Sequence, residues 1–220
     1  MSELAVREEL DQHKEFSMVP PESDVLNLRA EEIPVEQITS PEIQAIIDGM
    51  YSVAEGTKDE ESGGIMIGLA APQIGISKRI VLFAVNNFTT REEPPVLTAF
   101  INPEIVEMSD EQEEDRESCY STGDICGVVL RPKWVKMRAY DRNGQLVELV
   151  LEGYRARLAQ HEIDHLDGLR FPDHPGLLNL HKVSTEKRKD YFDGEWATWP
   201  EAPDKEWIAV KTGVPLSTFA

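Results

Sequence analysis

The chain has 220 residues, 40% hydrophobic and 29% charged, and a formal net charge of −19. Such a length and composition fit one globular domain with extensions, and the negative charge disfavours nucleic acid and anionic membrane, which attract basic surfaces. Residues 1–9 lack the apolar core of a signal peptide and no stretch is long enough to span a bilayer; two cysteines, Cys119 and Cys126, make no disulfide framework, so a reducing cytoplasm is expected.

Residues 1–22 are polar, broken by Pro20-Pro21, and read as a loosely held arm. A helix is predicted over 41–55, begun by Ser40-Pro41, with Ile43, Ile46, Ile47, Met50 and Tyr51 at helical spacing. A charged loop at 57–64 leads into Ile65-Met66-Ile67-Gly68-Leu69-Ala70-Ala71-Pro72-Gln73-Ile74-Gly75. Its glycines and alanines allow a ligand or another backbone to come close, and a polar Gln73 stands alone among apolar residues. Strands are predicted at 79–85 and 99–103, joined by a loop at 86–95, and the acidic run 111–117 reads as a solvated turn. Further strands follow at Val129-Leu130 and at 135–140, where Asp141-Arg142-Asn143-Gly144 turns the chain back into 146–151. A helix over 154–167 ends at Gly168. Residues 183–220 hold three of the four tryptophans and read as a segment lying over the domain, anchored by Trp196, Trp199 and Trp207. The expected division is an arm at 1–22, a catalytic domain at 23–176 and a C-terminal extension at 177–220.

The chemistry centres on Gln160-His161-Glu162-Ile163-Asp164-His165. Histidines four apart on a helix share one face, so both imidazoles reach one metal ion with Glu162 beside them as a base. Tyr154, Leu158, Ile163 and Leu166 give the motif an apolar surround, where unpartnered polar groups are costly. A third protein ligand is required. Phe171 stands where one protease class carries a third histidine, which excludes that class. Glu186 has a suitable distance but strongly charged neighbours, and Cys119 lies among small residues on a strand edge. The helix motif alone leaves the choice open.

Taken in order, Gly68-Leu69-Ala70-Ala71-Pro72-Gln73, Glu117-x-Cys119-x-Ser121 and Gln160-His161-Glu162-x-Asp164-His165 resemble the three motifs of peptide deformylases, over about residues 20–175. The resemblance implies an α+β fold, with mixed or antiparallel sheets around a central helix carrying the histidines. It implies Cys119, His161 and His165 as metal ligands with water in the fourth place, Fe(II) as the metal, and zinc, nickel or cobalt as substitutes. Glu162 becomes the general acid/base, while the Gln73 amide and the Tyr120 backbone N–H become the oxyanion donors. Ile67 and Gly68 line the methionine and peptide site, and Arg131 pairs with Glu117. The implied reaction removes the formyl group from N-formylmethionyl peptides of nascent proteins and releases formate. Alternatives are an amidase or peptidase with another substrate and a non-catalytic peptide-binding protein.

Some positions depart from the family pattern. Met66 stands two places before Gly68 where the family has glycine, and Ser118 and Tyr120 replace glycine and leucine. A serine at Ser118 is strained if the backbone there has φ > 0. Cys126 stands near where an arginine often contacts the substrate backbone, and is read with His174 and His181 as structural or solvated. Lys187-Arg188-Lys189 is too short for the basic helix by which relatives approach the ribosome, so ribosome association is not implied.

Overall fold

In the computed structural model, residues 16–56, 66–86, 95–194 and 198–219 are described. The expected loop at 57–64, most of the loop at 86–95, Trp196 and residues 1–15 of the arm lie outside them.

Eight strands form two antiparallel sheets among the described residues. The five-stranded sheet has the order β1 (Gly68–Ala70), β2 (Ile80–Ala84), β3 (Leu97–Met108), β6 (Trp134–Tyr140), β7 (Leu146–Glu152). The three-stranded sheet has the order β4 (Gln112–Ser118), β5 (Ile125–Pro132), β8 (Leu177–Lys182). With helices α1 (Pro41–Gly56) and α2 (Tyr154–Leu166), these make the expected α+β architecture. β2 shows why its sequence is apolar throughout. Successive side chains point to opposite faces, and Val81 and Phe83 join α2 in one core cluster. Ile80 and Leu82 join Ile43, Ile46, Ile47 and Met50 of α1 in the other. Helices thus cover both faces of this strand, and α2 takes its position from the sheet beneath it.

α2 ends as the sequence predicts, with Gly168 at φ +75° just beyond its last turn. Two expectations need correction. Residues 112–118 of the acidic run are strand β4, not a turn; the backbone pairs with β5 from Gln112↔Pro132 to Ser118↔Cys126, and most of the acidic side chains face water. Charge on the solvent face of an edge strand does not oppose pairing. Directly after residue 176, β8 pairs with β5. Residues 16–22 are not loosely held: the Val19 N–H donates to Gln73 O at 2.8 Å, and Arg170 Nη1 donates to Pro21 O at 2.6 Å. A cysteine on a strand edge was expected at Cys119, and it follows the last residue of β4 in extended backbone.

The C-terminal segment does lie over the domain. Helices α3 (Arg188–Asp193) and α4 (Asp204–Thr212) carry it. Trp207 of α4 is buried, donates from Nε1 to Asp173 Oδ1 at 2.9 Å and sits 4.6 Å from the Arg170 guanidinium. Trp199 meets the buried Tyr191 of α3 edge-on at 5.6 Å.

Asn102 is the one non-glycine residue with positive φ among the described residues, at +50°. It accepts from Ile33 N–H at 2.9 Å and donates to Ile33 O at 2.7 Å, so one amide side chain completes two backbone groups of the N-terminal segment. Asn102→Ala loses both bonds and strains the backbone, at a cost of about 2 kcal/mol. Asn102→Gly keeps the backbone at ease and costs less. Urea denaturation midpoints of the two variants, at unchanged slope, measure the difference.

Candidate metal centre and peptide cleft

Three elements converge on one point. α2 turns His161 and His165 to the same side, their ring centroids 5.0 Å apart and nearly perpendicular. β4 delivers Cys119 in extended backbone, and a short 3-10 turn over Tyr120–Thr122 follows it. Ligand atoms of Cys119, His161 and His165 all lie within 4.8 Å of one another, and Cys119 Sγ is 3.3 Å from His165 Nε2. Gln73 sits on the 3-10 turn Ala71–Ile74 after β1. Its Oε1 accepts the Ala70 N–H at 2.8 Å, which leaves Nε2 facing Cys119 Sγ at 3.3 Å and Ser121 Oγ at 3.2 Å.

Glu117 fixes the orientation of this group from below. Its carboxylate takes Arg131 through Nε at 2.6 Å and Nη2 at 2.9 Å, and Arg157 Nη1 at 2.7 Å. The same carboxylate meets His161 Nδ1 at 2.9 Å. A ring nitrogen held by a carboxylate leaves the other nitrogen free to bind metal. Arg131 also reaches Asp164 Oδ2 at 2.8 Å, which ties the helix to the cysteine strand. Burial alone would raise the Glu117 carboxyl, but Arg131 and His161 outweigh it and hold the group well below the usual carboxylate range.

The charges around the sulfur are equally one-sided. Burial opposes ionisation of Cys119, yet His165 and His161 outweigh it and keep its thiol well below the ordinary value. Burial likewise disfavours a cationic His161, and Cys119 and Glu117 reverse that preference. A thiolate beside imidazoles is a donor set that a soft or borderline divalent cation satisfies, and hard oxygen-seeking ions do not select it. His165 Nδ1 and Glu162 Oε2 are buried without a hydrogen-bond partner among the described residues. Orphaned polar atoms of this kind belong to sites completed by something else. The donor set fits a metal, and Glu162 Oε2 is an acceptor left open beside it.

Glu162 lies beside the ligands, and burial pushes its carboxyl up to about 7 while the charges of His161 and His165 pull it down. It borders a cavity of about 310 Å³, also lined by Ile67, Gly68, Gln73, Cys119 and Tyr120. A Cβ at Gly68 would stand 2.1 Å from Glu162 Oε1, so only glycine lets the carboxylate rest against β1. Ile67, Gly68, Gln73, Cys119, Tyr120, His161 and Glu162 thus line one cavity, while His165 does not line it and meets Cys119 Sγ at 3.3 Å.

Ser118 sits within β4 and carries no positive φ, so the serine there is unstrained. Cys126 is fully buried in β5, opposite Ser118, and burial pushes its thiol up to about 12. It packs with Val183 and Tyr191, in keeping with a structural role. Sequence reasoning missed Arg157, the second cation on Glu117. Its signal was available: an arginine four residues before His161, on the same helix face. Arg116, Arg188 and Phe192, which also line the cavity, had no such signal.

The polypeptide deformylase family model matches residues 18–181. Peptide deformylase from Acidobacterium capsulatum is 37% identical over 165 residues, covering 74% of this chain and 91% of that protein. Peptide deformylase 2 from Ralstonia nicotianae is 36% identical over 141 residues, covering 63% of this chain and 76% of the relative. Among solved structures, the Met-Ala-Ser-bound class I type b peptide deformylase from Acinetobacter baumannii is similar at a TM-score of 0.59 and 34% identity, covering 70% of this chain and 94% of the other. Peptide deformylase from Ehrlichia chaffeensis in complex with actinonin gives 0.62 at 28% identity, covering 81% and 94%.

The two thiols are expected to differ in reactivity. In folded, metal-free protein at neutral pH, iodoacetamide labels Cys119, whose thiol is held below its ordinary value and borders the cavity, whereas Cys126 reacts only after unfolding. Peptide mass mapping over time reads the order; labelling of Cys126 first in the folded protein contradicts it.

Proposed function

The chain belongs to the polypeptide deformylase family, metal-dependent hydrolases that take the formyl group off nascent peptides, and we propose that Cys119, His161 and His165 are its metal ligands, with Fe(II) as the working ion. Zinc, nickel and cobalt fit the same sulfur and nitrogen donors. The observation that carries this reading is the convergence of the three ligand atoms beside Glu162, whose Oε2 has no partner among the described residues and which lines the cavity.

An ion held there supplies Lewis acidity, which makes water acidic and the formyl carbon electrophilic. The chain's own residues do the rest. The formylmethionyl end enters along Ile67 and Gly68, where the absence of a side chain at Gly68 brings the substrate backbone close to Glu162. Glu162 takes the proton from the attacking water and passes it to the departing amine; a carboxyl near 7 suits both transfers. Gln73 Nε2, held by the Ala70 N–H through its own oxygen, and the Tyr120 N–H donate to the oxyanion. A preorganised donor of this kind is worth about 100- to 1000-fold in rate. Formate and a free amino terminus leave.

We assign the catalytic unit to residues 23–182, so that β8 belongs to it. The proposed compartment is the cytoplasm, where the two free thiols stay reduced. Among the described residues no helix is long and apolar enough to cross a membrane.

Protein purified without oxygen and loaded with Fe(II) should turn over formyl-Met-Ala-Ser. Glu162→Ala should bind one metal ion per chain and lose at least about 100-fold in kcat. Wild-type protein that binds the ion and leaves every formylated peptide intact would overturn the assignment. Gly68→Ala pushes the Glu162 carboxylate aside, and a displacement of about 1 Å costs on the order of 100-fold. Metal content should stay at the wild-type level in that variant, which a parallel metal assay checks.

A further inference from the structure

The cavity has a second wall that the family match does not cover. The match ends at residue 181, and α3 follows at Arg188–Asp193. Arg188 and Phe192 of α3 nevertheless line the same cavity as Gln73, Cys119 and Glu162, together with Arg116 of β4. This wall is firmly built. Tyr191 is fully buried, with its hydroxyl 3.0 Å from His181 Nδ1 and its ring against Trp199. Arg116 Nη1 donates to the carbonyls of Tyr191 and Gly194, both at 2.7 Å, and its guanidinium lies 5.9 Å from the centre of the Phe192 ring. Arg188 Nη2 donates to Gly123 O at 2.6 Å, while its Nε is buried with no hydrogen-bond partner among the described residues.

Two guanidinium groups therefore stand at the wall of the cleft, in a chain whose net charge is −19. Neither neutralises a buried carboxylate as Arg131 and Arg157 do. Among the described residues both are held through neutral backbone carbonyls, with Asp115 at 3.9 Å from Arg116 Nε as the one ion pair. A cation at the wall of a peptide cleft favours a carboxylate arriving with the substrate.

We propose that α3 is a specificity wall of the substrate cleft, and that Arg188, supported by Arg116, favours formylmethionyl peptides with an acidic side chain in the first two residues after methionine. The proposal rests on the deformylase reading of the site. It gives the C-terminal segment a function.

The test compares kcat/KM for C-terminally amidated formyl-Met-Glu-Ser and formyl-Met-Ala-Glu with their glutamine counterparts, using the metal-loaded full chain. Glutamine matches glutamate in size, and amidation removes the terminal carboxylate as a substitute. The wild type should prefer one or both glutamate peptides by about five- to tenfold, and the preference should shrink as salt is raised. Arg188→Gln should bring the ratio close to one. Arg188→Glu should instead favour the lysine peptides formyl-Met-Lys-Ser and formyl-Met-Ala-Lys, a gain that only folded protein can show. Equal rates for glutamate and glutamine peptides in an active wild type would overturn the specificity proposal and leave the deformylase reading intact. Absence of turnover on all of these peptides would overturn both.

Discussion

The buried carboxylate of Glu117 is the point on which the site depends. Desolvating a lone carboxylate is prohibitive, and this one is tolerated because two arginines and an imidazole surround it. The partners come from two elements: Arg131 from β5, and Arg157 and His161 from α2. Satisfying one charge thereby fixes the strand carrying Cys119 against the helix carrying both histidines. Buried ion pairs add little net stability as a rule. Here the network specifies geometry, because it sets which ring nitrogen of His161 looks toward the sulfur.

A second constraint is steric. Gly68 leaves no room for a side chain beside Glu162, so the general base lies against the backbone along which the substrate is to dock. Close approach and proton transfer depend on the same missing atom. Gln73 is placed by the same economy of means: its carbonyl is satisfied by the neighbouring Ala70 N–H, and only its amide hydrogens are left for the site.

Much of this was legible in the sequence. Apolar spacing located α1, α2 and β2, and the His161–His165 pair with Glu162 named the helix that matters. Helix and hairpin signals are local, which is why they could be read. What escaped depends on partners distant in sequence. β4 looked like a turn because its acidic residues point to water while its backbone pairs with β5. Arg157 shares a helix face with His161, but the carboxylate it serves is Glu117, forty residues earlier. α3 carries no apolar periodicity of its own, and its position follows from Tyr191, His181 and Trp199 packing together.

Arg170 shows what this arrangement means for the growing chain. It donates to Pro21 O, to Asn27 Oδ1 and to Ser121 O beside the cysteine, and the ring of Trp207 lies over it. One side chain thus bridges the N-terminal segment, the loop after Cys119 and a helix made more than forty residues after His161. During synthesis both histidines and the cysteine leave the ribosome well before that cover exists. The ligands are all present early, while the support for the cysteine loop arrives late, so the centre matures in the order in which its surroundings, rather than its donors, are translated.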